Sequence, residues 1–252
     1  MTPWEAVAVL AAGIGAGAIN AVVGSGSLIT FPTLLAMGYP PVVANVSNNV
    51  GLVPGGVTGV LGYRRELDGQ GRRLLRFGTA SVLGSLIGGL LLLLLPETAF
   101  RIIVPVLIGL ACVLVVAQPA LNRRLADRRK NPHHGGPLLW LGILGAGMYG
   151  GYFGAAQGVV LIGLLGVFLD DGLQRINAAK NVLSLLVNTT AAVLFVFIAP
   201  VDWTAVAVVA AGTTIGGYVG ARVARRLPPP VLRAFIVTVG VVAIVMLVRE
   251  GV

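Results

Sequence analysis

Gly24-Ser25-Gly26-Ser27, with the apolar run Leu28–Met37 behind it, decides how this chain folds. Ahead of it, Trp4–Val23 is long and apolar enough to cross a bilayer. Behind it, Leu28–Met37 would span only ~15 Å as a helix at 1.5 Å per residue, about half the hydrocarbon thickness. A glycine/serine break at membrane depth exposes backbone N–H and C=O groups that lipid cannot satisfy. Such backbone must face protein or a watery cavity. The break is therefore expected to form one half of a substrate site.

Working outward, the 252 residues are 56% hydrophobic and only 11% charged, with mean hydropathy +0.92. A soluble domain averages about 25% charged, so an all-α, polytopic membrane protein is expected. Apolar segments run roughly over 4–23, 28–37, 42–62, 74–95, 100–117, 138–157, 158–169, 176–199, 203–224 and 231–248. That pattern predicts eight long helices plus two short half-helices or re-entrant segments. Gly13/Gly17, Gly84/Gly88, Gly212/Gly216 and Gly216/Gly220 have the spacing of close helix packing in lipid. Trp4–Val23 lacks a basic leader and is expected to be retained rather than cleaved. Cys112 reads as a small core residue, and one cysteine allows no internal disulfide. His133 and His134 lie in a polar stretch without further ligands, so no metal is implied, and no cofactor either.

The two halves are related. At an offset of 132, Asn45 falls on Asn177, Asn48 on Lys180, Asn49 on Asn181, Ser81 on Thr213, Gly84 on Gly216 and Gly88 on Gly220. The Gly/Ser break aligns with Gly154–Gly158 after a shift of one or two residues. The organisation expected is a first transmembrane repeat over residues 1–121, a basic linker over 122–137, and a second repeat over 138–252. Five segments per half make the copies inverted. Arg64, Arg65, Arg72, Arg73, Arg76, the basic residues of 123–130, Arg175 and the arginines of 222–233 then share one side. Arg101 and Arg249 remain on the other. That bias makes the basic loops cytoplasmic and places both termini outside the cytoplasmic membrane. It also accounts for the net charge of +9 without nucleic acid.

Inverted repeats with broken helices are a common build of secondary transporters, with the site near the midplane. A helix beginning inside the membrane presents unpaired N–H groups and a partial positive charge, which suit an anion. Gly24, Ser25, Gly26 and Ser27 would precede a half-helix starting near Leu28. Ala156, Gln157 and Gly158 would precede one starting near Val159. Asn45, Asn48 and Asn49, with Asn177, Lys180 and Asn181, would add amides and one cation; pairs four apart share a helical face. The alternatives are that each asparagine bonds a neighbouring helix, that Lys180 snorkels to the cytoplasmic interface beyond Arg175, and that the break is a packed kink.

The run Ala18-Ile19-Asn20-Ala21-Val22-Val23-Gly24-Ser25-Gly26-Ser27 with Pro32-Thr33-Leu34-Leu35 resembles the first signature of the sulfite exporter TauE/SafE family, also called the four-toluene-sulfonate uptake family. Gly150-Gly151-Tyr152-Phe153-Gly154-Ala155-Ala156-Gln157-Gly158 resembles its second. The resemblance implies movement of sulfite, sulfonates or related organic anions across the cytoplasmic membrane. The partners expected are a small anion and the lipid bilayer, with homodimer formation left open. A membrane enzyme would need a poised His, Asp, Glu or Cys with a partner; no His, Asp or Glu lies deep in an apolar segment, and Cys112 has no base nearby. A scaffold without transport is the other alternative.

Overall fold

The computed structural model describes residues 1–127, 136–222 and 229–250. Ten α-helices account for nearly all of them, with no strand among the described residues. In chain order they are α1 (Pro3–Val22), α2 (Ser27–Ala36), α3 (Pro41–Gly62), α4 (Gly71–Leu94), α5 (Glu97–Asp127), α6 (Pro137–Tyr152), α7 (Gln157–Phe168), α8 (Leu173–Ile198), α9 (Trp203–Arg222) and α10 (Pro229–Glu250). A short 3-10 turn, Arg64–Leu67, joins α3 to α4. Eight long and two short helices match the expectation. Five are long and apolar enough to cross a membrane among the described residues: Pro3–Val22, Gly71–Leu94, Glu97–Ala117, Leu173–Ile198 and Trp203–Gly220. Their outer faces carry side chains that water would reject and lipid accepts, such as Phe197 at 82% and Leu94 at 78% exposure.

Local chemistry sets the helix ends. Thr2 and Glu5 form a reciprocal capping box at the start of α1, with Pro3 in the first turn. Pro41 and Pro137 open α3 and α6, where the missing N–H would have had no partner. α5 runs on to Asp127, so the first part of the basic linker is helical. His133, His134, Arg128, Arg129, Lys130, Arg225 and Arg226 lie outside the described residues.

Small residues fix how the helices approach. Gly13 backs onto Gly212, Gly17 onto Thr213 and Gly217, and Gly220 onto Ala18, so α1 and α9 run parallel. Gly84 packs on Leu144 and Gly147, and Gly88 on Met148 and Tyr152, so α4 and α6 run parallel as well. A methyl group at Gly17, Gly84, Gly88, Gly212 or Gly220 would collide with the partner's backbone. α3 lies parallel to α9, with Thr213 donating to Gly51 O at 2.7 Å and Thr58 to Thr214 O at 3.4 Å. Ser85 donates to Val187 O at 2.7 Å, and Gly89 faces Leu194, aligning α4 with α8. Across the centre, Gly56 meets Leu185 and Tyr63 meets Ala178, which makes α3 and α8 antiparallel. Thus α1, α3 and α9 point one way, and α4, α6 and α8 the other. Cys112 is buried against Gly240, where α5 meets α10.

Candidate functional site

Both breaks close on the same pattern. α1 ends at Val22 and α6 at Tyr152; each is followed by a glycine with positive φ, Gly24 at +82° and Gly154 at +75°. Two residues further on come the N-caps of the half-helices, Gly26 for α2 and Ala156 for α7, the latter left-handed at φ +56°. The half-helices start earlier than the hydropathy suggests, at Ser27 and Gln157 rather than near Leu28 and Val159. The reason is that Ile29 N reaches Gly26 O (2.9 Å) and Val159 N reaches Ala156 O (2.9 Å), closing the first turn directly after each cap. Ser27, Gln157 and Gly158 therefore sit inside the first turns, while Gly24, Ser25, Gly26 and Ala156 precede them.

The breaks touch each other. Gly158 N donates to Gly24 O at 3.1 Å, and a Cβ on Gly158 would lie 2.5 Å from the Cα of Gly24. Only glycine at both positions permits this approach, and Gly24 also needs its positive φ. At matching positions the two helix starts differ at one amide, Ser27 against Gln157. In α7, Gln157 N bonds Gly154 O (3.3 Å), Gly158 N bonds Gly24 O and Val159 N bonds Ala156 O, so these amides are taken. In the first break, Leu28 N bonds Ser25 O (3.2 Å) and Ile29 N bonds Gly26 O, while the amides of Ser25, Gly26 and Ser27 have no backbone acceptor among the described residues, as those of Ala155 and Ala156 have none in the second.

Lys180 does not snorkel. Its side chain is fully buried, and Nζ donates to Asn20 O at 3.0 Å and to Ala21 O at 3.4 Å. The last carbonyls of a helix lack intrahelical donors and carry a partial negative charge, so a cation there is stabilised. That local attraction, together with the length of α8 beyond Arg175, holds Lys180 in the protein. Asn177 and Asn181 bring Nδ2 to Ala21 O at 3.3 and 3.1 Å. Asn45 does the same for α6, bonding Tyr152 O at 3.1 Å. These asparagines thus each bond a neighbouring helix with one end of the amide.

Other polar atoms around the breaks are left over among the described residues, the Oδ1 of Asn177 among them. Buried side-chain atoms without a partner include Ser25 Oγ, Asn48 Oδ1, Asn49 Oδ1, Gln157 Nε2 and Asn177 Oδ1. Each belongs to a residue singled out from the sequence, and burying an unpaired polar atom costs ~1–3 kcal/mol. Lys180 is the only buried charged side chain among the described residues, and it has no salt bridge there.

Sequence reasoning gave no role to Tyr149 and Tyr152. The Tyr149 hydroxyl donates to Ala155 O and pins the second break. The buried Tyr152 hydroxyl has no partner among the described residues, and its ring joins Phe31, Phe100 and Phe153 in one aromatic cluster. Their place inside the second signature run was the available signal. A groove of about 310 Å³ between α1 and α9, lined by Ala6, Val7, Leu10, Ala207, Val208 and Ala211, is wholly apolar and separate from the breaks.

Apolar helices interrupted at depth, with polar groups turned inward, define a multi-pass membrane protein of the transporter class. The chain belongs to the sulfite exporter TauE/SafE family, whose model matches residues 9–247. It is similar to "Probable membrane transporter protein YfcA" of Escherichia coli strain K12, 26% identical over 228 residues, covering 90% of this chain and 83% of the relative. A "Probable membrane transporter protein" of Haemophilus influenzae is also 26% identical, over 89% of this chain and 87% of its own length. "Probable membrane transporter protein ORF9" of Sinorhizobium sp is 23% identical over 93% and 89%. No solved structure matches.

Proposed function

We propose that this protein is a secondary transporter of a small anion, namely sulfite, an organosulfonate or a related sulfur or carboxylate anion, with no enzymatic step. The anion binds where the two helix breaks meet. The observation that carries this is the coincidence of a buried, acid-free Lys180 with orphan polar atoms on the break and asparagine residues. The free amides of Ser25, Gly26 and Ser27 provide backbone donors. Ser25, Gln157, Asn45, Asn48, Asn49, Asn177 and Asn181 provide side-chain polarity, and Lys180 provides the full charge. Gly24, Ala156 and Gly158 are small enough to leave the backbone accessible.

The architecture behind this reading is two inverted copies, residues 1–121 and 138–252, joined by the basic linker 122–137. The opposed directions of α3 and α8, and the exchanged partners α1·α9 and α4·α6, support inversion. Arg73, Arg175 and the turn after α3 gather at one end of the bundle, through Arg175 Nη1 to Asp68 O at 3.0 Å and Gln70 Nε2 to Arg175 O at 3.2 Å. That gathering supports a single basic face, assigned to the cytoplasm, with both termini opposite and the cytoplasmic membrane as location. Flux of radiolabelled sulfite in proteoliposomes tests the proposal: counterflow is expected, and none for any sulfur anion or carboxylate would refute the substrate class.

A further inference from the structure

The ends of α1 and α6 are built alike and balanced differently. In α1, Val23 N and Gly24 N both return to Ile19 O, at 2.7 and 3.2 Å. In α6, Phe153 N and Gly154 N both return to Tyr149 O, each at 3.0 Å. The next carbonyls, Asn20 O and Ala21 O in one helix and Gly150 O and Gly151 O in the other, are thereby left without intrahelical donors. Asn20 O and Ala21 O receive the Lys180 ammonium. Gly150 O and Gly151 O receive no hydrogen bond among the described residues.

The residue corresponding to Lys180 in the first half is Asn48, at the repeat offset of 132. It is 1% exposed, and its Oδ1 has no donor; the Oδ1 of Asn49, 8% exposed, has none either. Asn45, one helical turn earlier on α3, bonds Tyr152 O and so holds this stretch of α3 against the end of α6. One helix end therefore carries a tethered cation. Its counterpart has two unpaired carbonyls at the negative pole of a helix, and the repeat offset sets Asn48 and Asn49 in the register that Lys180 and Asn181 hold in the other half.

We propose that a monovalent alkali cation binds at the end of α6, against Gly150 O, Gly151 O and the side-chain oxygens of Asn48 and Asn49. It takes the place that Lys180 Nζ fills at the end of α1. Hard cations take oxygen ligands. Divalent ones are usually held with carboxylates, and no carboxylate is buried among the described residues, so a single charge fits. The site itself stands independently of the anion; its consequence for transport rests on the anion reading above. A bound cation neutralises the second helix end and strengthens anion binding between the breaks, coupling the two solutes.

Thermal unfolding of the purified full chain in sodium, lithium, potassium and choline gluconate at equal ionic strength reads cation binding directly. Stabilisation by at least one alkali salt over choline is expected, and so is its disappearance in Asn48→Lys, which installs the mirror-image ammonium. Equal unfolding in all four salts overturns the proposal, and so does an alkali effect that survives in a folded Asn48→Lys. Should that variant not fold, Asn49→Ala serves, with a weakened alkali effect expected and an unchanged one contradicting. Sulfite titration in the preferred alkali salt against choline is expected to show about tenfold tighter binding, within the usual range of coupling between sites. Alkali stabilisation without any sulfite binding would refute the anion reading and leave the cation site standing. Sulfite binding that ignores the cation, with no alkali stabilisation, would do the reverse.

Discussion

Replacing Lys180 with methionine separates its structural from its functional role. Methionine keeps the length and apolar stem that lies against Gly158 and removes only the ammonium. Two contacts are lost, Nζ to Asn20 O and to Ala21 O. Hydrogen bonds in membrane proteins average about 0.6 kcal/mol, so the loss is roughly 1 kcal/mol, offset by no longer desolvating a charge. Stability should therefore change by about 1 kcal/mol or less. Anion binding should change far more. A unit charge ~4 Å from an anion contributes about 4 kcal/mol at an effective dielectric of 20. The partial negative charge at the end of α1 opposes the anion and leaves about 2–3 kcal/mol. At 1.4 kcal/mol per decade, that is roughly thirty- to a hundredfold in affinity. Thermal unfolding and sulfite titration of the same preparation give both numbers. A Lys180→Met protein that unfolds easily yet binds sulfite with full affinity would show Lys180 to be only a cap on α1.

Other residues divide in the same way. Asn49 makes no hydrogen bond within the described residues, whereas Asn181 bonds Ala21 O. In choline salt, Asn49→Ala is expected to leave the unfolding temperature unchanged and abolish flux, while Asn181→Ala loses about 0.6–1.7 kcal/mol as well as flux; full transport by both would remove them from the site. Gly24 and Gly38 share φ +82°, but only Gly24 faces another backbone. Alanine costs about 1–2 kcal/mol at either for the left-handed conformation, and Gly24→Ala adds a collision with Gly158, so equal unfolding shifts would contradict the contact between the breaks. At the basic end, Asp171 holds Arg73 at 2.5 Å and Arg175 at 3.1 Å, tying the start of α4 to the start of α8. Asp171→Asn should raise labelling of an introduced Ala178→Cys by a water-soluble maleimide, and unchanged labelling would show that this tie does not keep the end closed.

Much of the fold was legible because lipid imposes a simple rule. Apolar length and the placement of arginines are enough to find eight long helices and two short ones, and the Gly-xxx-Gly pairs mark where α1 meets α9 and α4 meets α6. The first break was legible from its cluster of glycine and serine between apolar runs, and the second from its alignment with the first across the repeat. Lys180 was harder to place. Its distance from Arg175 allowed snorkelling, and only the three-dimensional approach of α8 to the end of α1 shows which carbonyls it meets. The same holds for the contact between the two breaks. Nothing in Ala155-Ala156-Gln157-Gly158 reveals that Gly24 O comes from the other half of the chain to occupy Gly158 N. Helix starts were read late because capping geometry at Gly26 and Ala156 depends on backbone dihedrals that hydropathy does not report.

The most direct test uses selenite in place of sulfite and locates the anion by anomalous scattering from selenium in crystals of the unmodified protein. A single strong peak within hydrogen-bonding reach of Lys180 Nζ and the amides of Ser25, Gly26 and Ser27 is expected. A peak only at the arginine-rich end of the bundle, with none between the two breaks, would contradict it.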